Sequence, residues 1–135
     1  MLNPRSLVIA GLIALLALAA AVPASAAGLG ASVFNNGHQQ AGQGSVSPDV
    51  RGGGFALTAC DTAKDGAGIT TLAWTDQNGI PTSVSDRNGA GNGCKVRRVD
   101  LRGRRLFMKA CRQDRDGNVD KNRLEACSPI RTSKI

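Results

Sequence analysis

Short runs of apolar and β-branched residues follow one another from residue 55 to the end of the chain, and turn dipeptides separate them. The dipeptides are Asp65-Gly66, Asn78-Gly79, Asn88-Gly89, Arg102-Gly103 and Asp116-Gly117. Asn-Gly and Asp-Gly accept the positive φ of tight hairpins at low strain, so this alternation is typical of a small all-β domain.

The runs predict six strands: Phe55–Asp61, Ile69–Thr75, Pro81–Ser85, Lys95–Leu101, Arg104–Cys111 and Val119–Cys127. Apolar and polar residues alternate most clearly in the second of these, and again over 106–110, where Leu106, Met108 and Ala110 would share one face. Residues 122–126 could equally form one helical turn. We expect an all-β sandwich or barrel of five to seven antiparallel strands over residues 55–135.

The segment 27–54 has a different composition, rich in Gly, Ser, Gln and Asn and ending in three glycines. Such a segment carries little apolar surface to offset the entropy of ordering, so it is predicted to be flexible. At most, Val33-Phe34 or Val46 would form a short edge strand.

The first 26 residues have the three parts of a secretory signal peptide. Arg5 supplies the positive start, Ser6–Val22 is uncharged and apolar, and Ala24-Ser25-Ala26 is a small-x-small cleavage site. The alternative is a retained membrane anchor, since 17 residues is near the lower limit for spanning a bilayer. We expect cleavage after Ala26 or one residue later, secretion, and no membrane span in the remaining chain.

Four cysteines lie beyond the predicted cleavage site: Cys60, Cys94, Cys111 and Cys127. In an exported chain with few aromatic residues, disulfides are the expected source of added stability. Three pairings are possible, and the preferred one joins Cys60 to Cys94 and Cys111 to Cys127 because each bond closes a local loop. A zinc site is the alternative, but the nearest two cysteines are 16 positions apart and His38 is the only histidine.

The cysteines and turns together resemble those of small exported proteins of unknown function from high-GC Gram-positive bacteria. The matching positions are Ala59-Cys60-Asp61, Asp65-Gly66, Asn88-Gly89, Gly93-Cys94, Ala110-Cys111 and Cys127. Twelve Arg against five Lys agree with such an origin. The resemblance implies a disulfide-linked β-fold, no known activity, and no catalytic or binding residue.

The region Lys95–Arg123 contains 11 Lys or Arg residues and 4 acids, within a chain of net charge +7. If the strands on either side of Arg102-Gly103 formed a hairpin, their cations would collect on one β-ribbon attractive to polyanions. The candidate anion-binding residues are Arg97, Arg98, Arg102, Arg104 and Arg105. The alternative is that the charges only prevent edge-to-edge association of sheets.

Catalytic and metal-binding patterns are weak. A nucleophile needs a neighbouring base, and His38 lies in the Gly-rich segment, although Asp61, Asp65, Asp76 and Asp86 could converge in space. Residues 114–120 resemble a calcium loop, but Arg112 and Arg123 would occupy its first and twelfth positions, so a turn is the preferred interpretation. Only four aromatic residues follow the signal peptide, which argues against specific nucleic-acid binding and against an aromatic sugar-binding platform. We therefore predict no enzyme, metal or cofactor.

Two functional hypotheses remain. The first is a secreted binding module that docks its basic ribbon on an anionic cell-envelope polymer or an acidic protein. The second is an inhibitor of an extracellular protease or other hydrolase, with Arg87 or Arg115 presented on the loop 86–93 or 112–118, because a rigid loop loses little entropy on docking.

Overall fold

Nine β-strands make up the regular structure in the computed structural model, which describes residues 28–35, 38–49, 51–87, 89–113 and 124–135. The strands are β1 (Leu29–Phe34), β2 (Gln40–Pro48), β3 (Phe55–Asp61), β4 (Gly68–Thr75), β5 (Thr82–Asp86), β6 (Lys95–Val99), β7 (Arg105–Gln113), β8 (Leu124–Cys127) and β9 (Arg131–Lys134). No helix long and apolar enough to cross a membrane occurs among these described residues.

The strands form two antiparallel sheets. The first sheet has the order β1-β2-β3-β6, and the second has the order β5-β4-β7-β8, with β9 also paired to β7. The inner faces of the two sheets pack against each other, so the fold is an all-β sandwich and not a closed barrel. The predicted fold class is confirmed.

The core between the sheets is built from a few medium-sized side chains and many alanines. The largest fully buried apolar side chains are Val33, Val46 and Leu57 from the first sheet and Ile69, Leu106 and Met108 from the second. A hydrogen bond also joins the layers, because the buried Thr71 hydroxyl on β4 donates to the Thr58 carbonyl on β3 over 2.8 Å. Small side chains at alternate positions allow the two layers to approach closely.

We expected residues 27–54 to be flexible, and the structure corrects this expectation, because the segment supplies strands β1 and β2. Along β2, Ala41, Gly42, Gly44 and Val46 are buried. A side chain at Gly44 would collide with Thr71 and Ala110 of the second sheet, which shows how near the layers lie there. The glycines that give the segment the composition of a disordered chain are the residues that allow the two sheets to approach closely.

The other predicted strands agree with the structure to within two residues at most ends. The strand predicted over 55–61 is β3, and the described part of the last predicted strand is β8; residues 119–123 lie outside the described part of the chain. Strand β9 was not predicted. The predicted signal peptide over 1–26 and the predicted turn over 114–120 also fall outside the described residues.

Both disulfides have the preferred pairing. Cys60 of β3 is bonded to Cys94, which immediately precedes β6, and Cys111 of β7 is bonded to its cross-strand neighbour Cys127 on β8. Each sheet thus carries one covalent bond between adjacent parts of its ladder. The two disulfides indicate that the chain folds in an oxidising compartment.

Candidate functional site

The predicted basic ribbon does not exist, because β6 and β7 belong to different sheets. Strand β6 pairs with β3 at the edge of the first sheet, whereas β7 lies inside the second sheet between β4 and β9. The chain between them, residues 100–104, crosses from one layer to the other and makes no hairpin at Arg102-Gly103. We call these residues the crossing segment.

Gly103 has a packing role in this crossing. A Cβ at this position would lie 2.6 Å from Asp76 Oδ1 and 2.8 Å from Thr75 Cβ. The Thr75 hydroxyl donates to the Arg102 carbonyl over 2.7 Å. The glycine therefore permits the crossing segment to lie against the end of β4.

Asp76 fastens the crossing segment to β4. Its Oδ1 accepts hydrogen bonds from the backbone N–H groups of Arg104 at 2.9 Å and Arg105 at 3.1 Å. These two hydrogen bonds to the charged form hold the pKa of Asp76 below its ordinary value. Asp76 therefore has a structural role, because it attaches this segment to the end of β4.

The five candidate arginines are consequently dispersed. Arg97 reaches across the open edge of the sandwich and donates to the Ser83 carbonyl over 3.0 Å. Arg98 forms an ion pair with Asp49 at 2.9 Å, and Arg102 forms one with Asp100 at 2.9 Å.

The remaining two candidates lie near the second sheet. Arg104 is exposed on the crossing segment, and Arg105 is exposed at the start of β7. No side-chain bond or ion pair engages either of them within the described residues. The structure therefore separates Arg105 and Arg104 from the three arginines that are already engaged.

Arg105 belongs to a group of residues on the side of the second sheet that faces away from the core. Leu106, Met108 and Ala110 of β7 are buried, so Arg105, Phe107 and Lys109 point the opposite way. The register of the sheet adds neighbours from β4 and β9 to the same side. We call this the outer face, and its residues are Leu72, Trp74, Arg105, Phe107, Lys109, Thr132 and Lys134, with Ser83 of β5 opposite Leu72.

Two aromatic rings occupy the centre of the outer face. Trp74 of β4 lies directly opposite Phe107 of β7, and their rings are nearly parallel, at 12°, with centroids 5.8 Å apart. Both side chains are half-buried, since their own strands are flanked by other strands but no layer of described residues packs over them. The sequence argument counted too few aromatics for a binding platform, but the sheet brings two of the four together.

Three cations surround this aromatic pair. Arg105 and Lys109 stand two residues on either side of Phe107, about 13 Å apart along the strand, and Lys134 lies opposite Arg105 on β9. None of the three forms an ion pair with a carboxylate among the described residues. Their charge is therefore available to a ligand.

The carboxylates proposed to converge do so only in part. Asp86 is fully buried and accepts a hydrogen bond from the backbone N–H of Asp61 at 3.0 Å, so these two residues are neighbours. Asp65 instead forms an ion pair with Arg112 at 3.3 Å, and Asp76 fastens the crossing segment. Across the described ranges, no three His, Cys, Asp or Glu side chains come close enough to hold a metal ion.

A groove of about 740 Å³ runs along the opposite edge of the sandwich, between β1 and the segment 126–131. Its walls are mostly main chain and small side chains, with Phe34 half-exposed at the rim. Arg131 is its one charged lining residue among those described. The groove offers shape but few groups that would select a ligand.

The loops considered for an inhibitor are only partly described. Arg87 follows β5, and its Nε donates to Gln113 Oε1 at 3.3 Å, so its guanidinium is engaged by the fold. Arg115 and most of the loop 112–118 lie outside the described residues. The structure thus adds no support for a specificity side chain at Arg87.

The fold and the covalent bonds define a disulfide-linked β-sandwich. No protein-family model matches the chain, and no curated protein matches it. A solved structure of similar fold is the crystal structure of an endonuclease/exonuclease/phosphatase from Beutenbergia cavernae DSM 12333, with 17% sequence identity and a TM-score of 0.55. The match covers 81% of this chain and only 27% of that chain, so the likeness concerns the fold alone and the activity of the larger protein is not carried over.

Proposed function

We propose that this protein is an exported, non-enzymatic binding module that docks the outer face of its second sheet on an anionic polymer of the cell envelope. The observation that carries the proposal is the set of three cations, Arg105, Lys109 and Lys134, that share this face and have no carboxylate partner among the described residues. Of the arginines first chosen from the sequence, Arg105 belongs to the face.

Export is part of the proposal and is supported by two independent features. The first 26 residues have the composition of a signal peptide, and two disulfides are typical of a chain that folds in an oxidising compartment. Mass analysis of protein recovered from the culture medium tests it. An N-terminus at Ala27 or Gly28 is expected, and one at Met1 would contradict export by cleavage.

The binding test compares two variants of equal net charge. The face variant changes Arg105, Lys109 and Lys134 to Gln, and the matched control changes Arg97, Arg98 and Arg102 to Gln. The control also removes three positive charges, but it removes them from arginines that already contact Ser83, Asp49 and Asp100. Thermal melting of each oxidised protein verifies that both variants are folded.

Binding to a polyanionic matrix is then measured at increasing salt. Exposed ion pairs contribute about 0.5–1 kcal/mol each, so loss of three predicts a roughly 10- to 100-fold higher Kd for the face variant. The control should bind nearly as well as the native protein, and all binding should weaken with ionic strength. Equal losses in both variants would mean that net charge, and not the outer face, determines binding.

A further inference from the structure

The outer face carries an aromatic pair, Trp74 and Phe107, which the binding of a simple polyanion would not require. We propose that the anionic polymer is an acidic polysaccharide, whose sugar rings pack on Trp74 and Phe107 while its carboxylates or phosphates contact the surrounding cations. This inference rests on the proposed function, because it names the ligand of the same face.

The position of the rings supports a ring-bearing ligand. Trp74 and Phe107 alternate with buried core residues and therefore contribute nothing to the interior of the sandwich. Together with Leu72 on β4, the two rings form a contiguous, half-buried apolar group, and contiguous apolar surface can mark a contact site. The indole N–H of Trp74 takes part in no hydrogen bond with other described residues, so it is open to an acceptor on the ligand.

The arrangement of polar groups supports an acidic sugar. The two rings are nearly parallel, with centroids 5.8 Å apart, so they form one aromatic group against which the C–H face of a sugar ring would pack. Hydroxyl groups of Thr132 and Ser83 lie on the same face, opposite Phe107 and Leu72 respectively. The cations Arg105 and Lys109 flank the patch along the strand, where charged substituents of adjoining sugars would extend.

A single-stranded nucleic acid fits the same face less well. Proteins that read single strands stack successive bases on separate aromatic side chains. Here the two rings are stacked on each other, and the other two aromatic residues, Phe34 and Phe55, belong to the first sheet. The oxidising compartment indicated by the disulfides also favours an envelope polysaccharide as the available polyanion.

The chain has one tryptophan, and it lies in the proposed site, so its fluorescence reports directly on ligand contact. The oxidised protein is titrated at one ionic strength with four probes: polygalacturonate, which has rings and charge; polyglutamate, which has charge alone; dextran, which has rings alone; and poly-dT. Polygalacturonate is expected to shift the emission and to bind about five- to tenfold more tightly than polyglutamate.

A variant in the pair distinguishes stacking from charge. Phe107→Leu keeps an apolar side chain beside Trp74 and all the cations, and it is expected to bind polyglutamate like the native protein while losing its preference for polygalacturonate. Trp74→Leu, read by direct binding, is the second variant and should behave the same way.

Each other outcome has a defined meaning. Equal binding of polygalacturonate and polyglutamate with unchanged emission would overturn the polysaccharide inference and leave the anion-binding function standing. Tighter binding of poly-dT than of polygalacturonate would also overturn it. Binding of no charged probe, or equal binding of dextran, would refute the proposed function itself.

Discussion

Gly44 offers a direct test of how closely the two sheets pack. It lies in β2, within the segment whose composition resembles a flexible linker, and it faces the second sheet. In the variant Gly44→Ala, the added methyl group would collide with Thr71 Oγ1 and lie 2.8 Å from Ala110 Cβ. Both neighbours are fully buried, so neither can move into solvent.

Three contributions set the size of the effect. Overpacking of a tight core costs about 1–3 kcal/mol. Displacing the Thr71 hydroxyl weakens its bond to the Thr58 carbonyl, which contributes about 1 kcal/mol. Replacing glycine by alanine within a strand recovers about 0.5–1 kcal/mol of chain entropy. The unfolding free energy should fall by about 2 kcal/mol, which corresponds to a Tm lowered by roughly 10 °C.

The matched control is Gly30→Ala on the neighbouring strand β1. There the nearest atom to an added Cβ is the Gly44 carbonyl oxygen at 3.8 Å, an ordinary contact, so only the recovered chain entropy remains and the unfolding free energy should rise by about 0.5–1 kcal/mol. Urea denaturation of both oxidised variants measures the difference. If Gly44→Ala were as stable as Gly30→Ala, then β2 would not pack against the second sheet as described.

Three further results are expected. Replacing Cys60 and Cys94 together by Ala opens a loop of 34 residues and should lower the unfolding free energy by about 4 kcal/mol, measured in urea; an unchanged midpoint would argue against the bond. Because hydrogen bonding lowers the pKa of Asp76 in the folded state below its unfolded value of 3.8, the carboxylate stabilises the fold above that pH and the stability is lost as pH falls through the folded pKa. Asp76→Asn should therefore flatten the acid limb of a pH–stability curve, and identical curves would contradict this. Ala126 occupies a β-bulge on β8 with a φ of 44°, a conformation that favours glycine, so Ala126→Gly should raise the thermal stability by about 0.5–1 kcal/mol, and a lower Tm would count against this account.

The strands after residue 55 could be predicted because their signals are local. Turn dipeptides and alternating polarity depend only on neighbouring residues, and β3 begins and ends where the pattern places it. The pairing of the cysteines was also accessible, since closing the two local loops requires no knowledge of the sheets. Both kinds of inference succeed where short sequence separation decides the geometry.

Of strands β1 and β2, the sequence predicted at most a short edge strand at Val33-Phe34 or Val46, because most of their signal is not local. Composition measures how much apolar surface a segment carries, and Gly42 and Gly44 carry none. Their suitability for a strand becomes visible only beside the residues they face, Ile69 and Thr71. The apolar residues Val33, Phe34 and Val46 gave a weak local signal, which the composition of the rest of the segment outweighed.

The candidate site also shows that local sequence signals do not predict which distant residues become neighbours. Arg97 to Arg105 are close in sequence, and an assumed hairpin placed them on one surface. The crossing of the chain between layers instead separates them, and brings Arg105 beside Lys134, which lies 29 positions away in the sequence.

The sequence by itself determined the class of fold, the positions of most strands and the disulfides, because turn propensity, alternation and loop closure are local properties of the chain. Only the tertiary structure decided which strands share a sheet, and therefore which side chains share a surface. Trp74 and Phe107 meet because β4 and β7 are hydrogen-bonded in one register. That register is fixed by packing of the opposite faces of these strands in the core, an interaction between residues far apart in sequence.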